Sequence, residues 1–138
     1  MSFVTPVLLD WAQKAELAIR ENEIVAHEVN PLCGDEISVA LSFQSEVINE
    51  IRMKTVGCVI LRASSHLIGE KLLGISVQEA YKFIKTFENS FGIEMSELDQ
   101  IPIPELVSIY RIPNRYRCAL LPVKAITNFL SQSRCESI

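Results

Sequence analysis

The sequence predicts an α+β domain: a three-stranded antiparallel sheet with helices packed mainly on one of its faces. Apolar residues alternate with a period of two between residues 24 and 56, and helical spacing occurs on both sides of that segment. Because the turns between the strand segments are short, an antiparallel meander is the simplest arrangement. The 138 residues are long enough to bury one core, so we interpret the chain as a single domain, 1–138.

The first helix and the sheet are predicted from the N-terminal part of the chain. Thr5 and Pro6 suit the N-cap and first position of a helix, and apolar residues then recur at helical spacing through residues 6–21. Polar and apolar residues alternate most clearly in the third strand segment, as they do in a strand with one buried face. Three strands are therefore expected, at residues 24–29, 36–43 and 47–56.

The C-terminal part of the chain is predicted to be helical. A helix is expected to begin after Cys58 and to end at Gly74, which is a typical helix stop. Ser76 and Glu79 form a capping-box pattern that opens a second helix, ending near Gly92. A loop at 93–104, a short helix at 105–110 and a last helical region after residue 113 follow. Pro122 is expected to kink or divide that last helix.

Composition and charge exclude several classes of partner. The net charge is −4, so the sequence gives no electrostatic reason to expect binding to nucleic acid or to an anionic membrane. The apolar runs are far shorter than the roughly 20 residues that a membrane span needs. The first residues lack the pattern of a secretory signal. We therefore expect a cytoplasmic protein.

The chain has four cysteines: Cys33, Cys58, Cys118 and Cys135. Cytoplasmic thiols are kept reduced, so a disulfide framework is not expected. Metal binding, thiol chemistry and simple burial remain open, and burial is the default for any one cysteine taken alone.

Three of the cysteines fall at boundaries of predicted elements. Cys33 precedes the second strand and Cys58 follows the third, and antiparallel pairing puts those two positions at the same end of the sheet. The last helix could bring Cys118 to that end. Three thiolates with the carboxylate of Asp35 would suit zinc or an iron–sulfur cluster. Because the chain has no Cys-x₂-Cys pair, its residues alone leave the metal site open.

Three segments resemble the motifs of one known family, in the family's order. They are "NPLCGDEISVAL", "GCVILRASSHLI" and "RYRCALLPVKAI", and they are similar to the three cysteine motifs of the NifU/IscU/SufU iron–sulfur assembly proteins. The resemblance covers about residue 8 to about residue 128. It implies a SufE/IscU-like fold and a metal or cofactor site formed by Cys33, Asp35, Cys58 and Cys118.

The third motif and its distance from the second are closest to the SufU-like branch. Arg117 precedes Cys118 where IscU-type scaffolds carry histidine, and 59 residues separate Cys58 from Cys118. The "LPVK" segment follows Cys118, whereas the chaperone signal of IscU scaffolds precedes the third cysteine. Chaperone binding is therefore not inferred.

The resemblance implies two alternative activities at the same site. As a scaffold, the chain would hold a transient [2Fe–2S] cluster and pass it to recipient apo iron–sulfur proteins. As a SufU-like zinc-dependent persulfide transferase, it would hold Zn²⁺ and accept sulfur on Cys33, and only then would it be an enzyme. In both cases a cysteine desulfurase supplies the sulfur. A third alternative is a degenerate, metal-free member that only binds a partner.

The remaining residues of interest have ordinary alternatives. His66 lies eight residues after Cys58, about two helical turns, so it could be an accessory ligand, a proton acceptor or simply a partly exposed histidine. His27 is interpreted as a structural or surface residue. Asp35 on its own would be a common turn residue. Cys135 is expected to be a free, accessible thiol.

Overall fold

The computed structural model describes residues 6–12, 19, 24–31, 33–91, 102–112 and 115–136. Its elements in chain order are α1 (Pro6–Ala12), β1 (Ala26–Asn30), β2 (Asp35–Gln44), β3 (Val47–Val56), α2 (Val59–Leu72), α3 (Val77–Ser90), a 3₁₀ helix (Pro104–Arg111) and α4 (Tyr116–Glu136). Among the described helices, none has the length and apolar character that a membrane span requires.

The sheet is the antiparallel meander that the sequence predicts. Its strand order is β1-β2-β3, and both pairs of neighbouring strands are antiparallel. Helix α4 packs against β1 and β2, while α2 packs against β3. Alternate residues of β2 are fully buried beneath the helices, with Ile37 and Val39 at its centre. The predicted fold class is therefore confirmed.

The predicted element boundaries are close to those observed, with some corrections. Strand β1 begins at Ala26 instead of residue 24, and the predicted short helix is a 3₁₀ helix. Residue 19 is not helical, so the predicted first helix was extended too far. The rest of that prediction beyond Ala12, and most of the predicted loop at 93–104, lies outside the described residues.

Helix α4 is continuous across Pro122, so of the two predicted effects, a kink or a division, the division does not occur. A proline within a helix lacks an N–H for the carbonyl four residues earlier, which here is that of Cys118. Here the hydroxyl of Ser64, on α2, donates a hydrogen bond of 2.7 Å to the carbonyl of Ala119. This bond ties α2 to the turn of α4 that contains the proline, and α4 runs on to Glu136.

We expect Ser64→Ala to destabilise the fold, because it leaves the buried Ala119 carbonyl without its side-chain partner beside the proline. Losing a buried hydrogen bond of this kind costs about 0.5–1.5 kcal/mol in the free energy of unfolding, measured by urea denaturation. Ser65→Ala is the matched control: Ser65 is also buried, but its hydroxyl donates to the carbonyl of Leu61 within α2. Equal losses in the two variants would contradict this role for Ser64.

Candidate metal and thiol site

The turn between β1 and β2 positions Cys33 and Asp35. Gly34 lies between them with φ +77°, a conformation that glycine adopts without strain, and its N–H donates to the Asn30 carbonyl at 2.8 Å. Asp35 is the first residue of β2 and pairs with Asn30 across the sheet. As a result the Cys33 thiol is exposed, whereas the Asp35 side chain, two residues later, is buried.

Cys58 is the N-cap of α2. Its backbone is extended, and its sulfur accepts the N–H of Leu61 at 3.5 Å. An N-cap side chain satisfies one of the free N–H groups of the first turn, and serine, threonine, aspartate or asparagine usually does so. A cysteine in this position places its sulfur at the positive end of the helix dipole, which favours the thiolate.

Asp35 and Cys58 form two hydrogen bonds that join the start of β2 to the start of α2. The Cys58 N–H donates to Oδ1 at 3.2 Å, and the Cys58 thiol lies 3.3 Å from Oδ2. Gly57 makes this approach possible, because a Cβ at that position would lie 2.3 Å from Asp35 Oδ1. The sequence analysis did not assign this role to Gly57; a glycine directly before a helix N-cap was the available signal.

The first turns of α4 bring Cys118 to the same place. Its side chain is 2% exposed, and its sulfur lies 3.9 Å from that of Cys33. The ligand atoms of Cys33, Asp35 and Cys118 all lie within 4.8 Å of one another. Two sulfurs bound to one tetrahedral zinc ion would be about 3.8 Å apart, given Zn–S bonds of about 2.3 Å. The described geometry therefore fits a metal ion held by thiolates and one carboxylate.

The thiols of Cys58 and Cys118 share a hydrogen bond, and it shifts their pKa values in opposite directions. Donation from Cys118 lowers the pKa of Cys58, an effect that the Leu61 N–H strengthens and that burial opposes. The same bond, together with burial, raises the pKa of Cys118 above its ordinary value. Cys58 is therefore the more acidic of the two thiols, although the neighbouring Asp35 carboxylate opposes its ionisation, and a metal ion binding Cys118 would displace a proton.

A cavity of about 440 Å³ lies beside the two motifs. Asn30 and Pro31, which precede the Cys33 turn, form one wall, and Arg117, which precedes Cys118, lies on another. Leu120 and Leu121 supply apolar surface to the same cavity. The exposed Arg117, which stands where IscU-type scaffolds carry histidine, therefore lines a cavity together with the two residues that precede the Cys33 turn.

The other predicted residues lie apart from this cluster. His66 is half-buried on α2 and is not among the grouped ligand atoms. His27 is exposed on β1, where its Nδ1 forms a hydrogen bond of 2.9 Å with the Ser38 hydroxyl, as expected for a structural or surface residue. The side chain of Cys135 lies outside the described part of the structure.

The chain is thus a small α+β protein with a candidate cysteine and aspartate metal site at one end of its sheet. The family model described as the NifU-like N terminal domain matches residues 13–102. The chain belongs to this family, and the resemblance seen in its three motifs is confirmed.

Two relatives illustrate both branches of the family. The iron–sulfur cluster assembly scaffold protein IscU of Thermotoga maritima is 27% identical over 128 residues, covering 91% of this chain and 90% of the relative. The zinc-dependent sulfurtransferase SufU of Bacillus subtilis is 26% identical over 110 residues, covering 78% and 75%.

Solved structures have the same fold. A putative scaffold protein for the SUF system from Fervidobacterium islandicum superposes with a TM-score of 0.80 at 28% identity, covering 91% of this chain and 94% of that one. An N-terminal NifU-like protein from Brucella abortus gives 0.71 at 19% identity, covering 93% and 92%, which shows the fold alone.

We expect Gly57→Ala to weaken zinc binding by about 10- to 100-fold, the effect typical of disturbing a group that orients a ligand. The new methyl group would displace the Asp35 carboxylate from Cys58. Affinity is measured by competition with a chromophoric chelator.

Gly74→Ala is the matched control for this experiment. Gly74 also has a positive φ, +88°, but a Cβ there meets nothing within 4 Å. Its substitution introduces backbone strain without displacing Asp35. If both variants lost affinity equally, strain would explain the result and the close approach would not.

Proposed function

We propose that this single-domain chain, 1–138, is an iron–sulfur cluster assembly protein that acts through Cys33, Asp35, Cys58 and Cys118. The observation that supports the proposal is the grouping of the Cys33, Asp35 and Cys118 ligand atoms within 4.8 Å of one another, with the Cys58 thiol 3.3 Å from the Asp35 carboxylate. Two relatives, named as an iron–sulfur cluster assembly scaffold and a zinc-dependent sulfurtransferase, support a role in sulfur and metal chemistry.

The donor set suits zinc or iron. Thiolates are preferred by zinc and by iron–sulfur clusters, and a carboxylate is an accepted zinc ligand. Bound Zn²⁺ would keep the thiols deprotonated without redox chemistry of its own, while a [2Fe–2S] cluster would be cargo. Asp35, the one oxygen donor, would hold a cluster less strongly than a fourth thiolate, which favours release to a recipient apoprotein.

The four residues differ in their access to solvent, and this suggests separate tasks. Cys33 lies in an exposed turn, where the sulfur-bearing group of a cysteine desulfurase can reach it. Cys118 is buried, and Cys58 is held by Asp35 and the first turn of α2. We therefore assign to Cys33 the acceptance of sulfur as a persulfide, and to the other three residues the task of holding the metal.

The zinc-dependent sulfurtransferase is the second candidate function. Arg117 before the third cysteine and the long segment between the second and third cysteines favour it, as does the similarity to SufU. A metal-free, partner-binding role is less well supported, because a degenerate chain would have no need to keep four ligand side chains together. In each case we expect a cytoplasmic protein that binds neither nucleic acid nor membrane.

Protein purified without oxygen is expected to carry metal that depends on Cys33. The scaffold predicts about two iron and two sulfide ions per site, with visible absorbance, and the sulfurtransferase predicts about one zinc without sulfide. Cys33→Ser should lose most of the metal, whereas Cys135→Ser, which removes a cysteine outside the proposed set, should keep it. A wild-type chain that binds neither metal after reconstitution would refute the proposal.

Asp35→Ala is expected to lower zinc affinity by about 10- to 100-fold and, in a scaffold, to slow release of bound cluster. Glu36→Ala is the control: it removes the same charge from the next residue, whose side chain points to the opposite face of β2. Chelator competition and the rate of cluster transfer to an apo-ferredoxin are the measurements. Wild-type values for both in Asp35→Ala would make Asp35 a turn residue only.

A further inference from the structure

Two short contacts within the site involve sulfur on different sides of the cluster. In one contact, Cys58 is engaged by the Asp35 carboxylate and by the Leu61 N–H. In the other, the sulfurs of Cys33 and Cys118 lie 3.9 Å apart, close to van der Waals contact. Sulfur chemistry that begins on the exposed Cys33 therefore has Cys118 as an internal reaction partner.

We propose that, before the site takes up metal, Cys33 and Cys118 act as a dithiol that converts a persulfide on Cys33 into free sulfide. This inference rests on the proposed function, which supplies the persulfide. It assigns to the chain a reductive activity of its own, because the two cysteines provide both electrons. A chain that only relays sulfur would instead hand the outer sulfur atom of the persulfide to another protein.

The step balances without an outside oxidant or reductant. The Cys118 sulfur attacks the inner sulfur of the Cys33 persulfide, forming a Cys33–Cys118 disulfide and breaking the bond to the outer sulfur. The outer sulfur leaves with the electron pair of that bond and takes the proton of the Cys118 thiol, so it is released as hydrogen sulfide. A dithiol reductant or a low-molecular-weight thiol then reduces the disulfide and restores the site.

The geometry of the site favours Cys118 as the attacking residue and sulfide as the product. Attack is most effective from reacting atoms held about 3–3.5 Å apart, and the two sulfurs are only slightly beyond that separation. Burial of Cys118 at 2% exposure protects it from external thiols, so its accessible reaction partner is Cys33. The product also meets a need of the scaffold function: a [2Fe–2S] cluster contains sulfide, whereas a desulfurase delivers sulfur at the oxidation level of a persulfide.

The rival reaction partner is Cys58. It shares a hydrogen bond with Cys118, so a Cys58–Cys118 disulfide is also within reach. That disulfide would not release the outer sulfur from Cys33, because neither of its sulfurs is the inner atom of the persulfide. The position of the crosslink therefore distinguishes the proposed reaction from ordinary oxidation of the site.

The test is a single turnover without oxygen or reductant, on full-length chain carrying Cys135→Ser so that only three thiols remain. The chain, kept free of metal by a chelator, is loaded with persulfide in two ways: by a cysteine desulfurase with no more than one equivalent of cysteine, so that no free thiol is in excess, and chemically with inorganic polysulfide followed by desalting. Sulfide is measured as methylene blue, and peptides are mapped by mass spectrometry without reduction.

We expect about one sulfide per persulfide, with a crosslink joining Cys33 to Cys118. Cys118→Ser should retain the extra sulfur on Cys33 and release sulfide at least about tenfold more slowly, because the neighbouring nucleophile is missing. Circular dichroism checks that this variant is folded, and the crosslink map of the parent chain tests the proposal independently of it.

Several results would overturn the inference. A stable persulfide on Cys33 in the parent chain, transfer of the outer sulfur to Cys118 without sulfide release, or a crosslink that includes Cys58 would each do so. Failure of the proposed function looks different: the desulfurase would leave Cys33 unmodified, while the polysulfide-loaded chain could still be scored for sulfide and crosslink.

Discussion

The hydrogen bonds between Asp35 and Cys58 are the contacts on which the geometry of the site depends. They join the first residue of β2 to the N-cap of α2, and the absence of a side chain at Gly57 lets the two approach. The register of the sheet fixes both partners, since Glu36 pairs with Val56 immediately beside them. A slip of one residue would turn Asp35 to the other face and separate it from the thiols.

Helix α2 fixes the positions of two of the three site cysteines. Its N-terminus carries Cys58, and six residues further on Ser64 bonds to α4 at the carbonyl of Ala119, directly after Cys118. The serine therefore supports α4 near its proline and also holds the helix segment that carries the third thiol. A helix that contains a proline is thereby held against α2 next to the residue that carries the Cys118 thiol.

The exposure of the three site thiols decreases in chain order. Cys33 is exposed, Cys58 is half-buried and Cys118 is buried. A group that must meet another protein needs access, whereas groups that hold metal or finish a reaction are better protected from solvent thiols and oxidants. The chain combines both by placing the first thiol on a turn and the third on a packed helix. The opposite pKa shifts of Cys58 and Cys118 follow from the same packing.

The sequence by itself determined the fold class, the position of the Cys33–Asp35 turn and the helix that begins after Cys58. These depend on local patterns: period-two alternation, a turn that contains both proline and glycine, and a glycine just before a helix start. The motif order also sufficed to identify the family.

Only the tertiary structure decided which residues contact each other within the site and whether α4 continues across Pro122. Cys33 and Cys118 are 85 residues apart in the sequence, and Ser64 and Ala119 are 55 apart. No local pattern can therefore predict the contact within either pair. The close approach at Gly57 likewise depends on where β2 places the Asp35 carboxylate. Such contacts are fixed by how helices pack on the sheet, which is why the residues of the site could be predicted but their pairing could not.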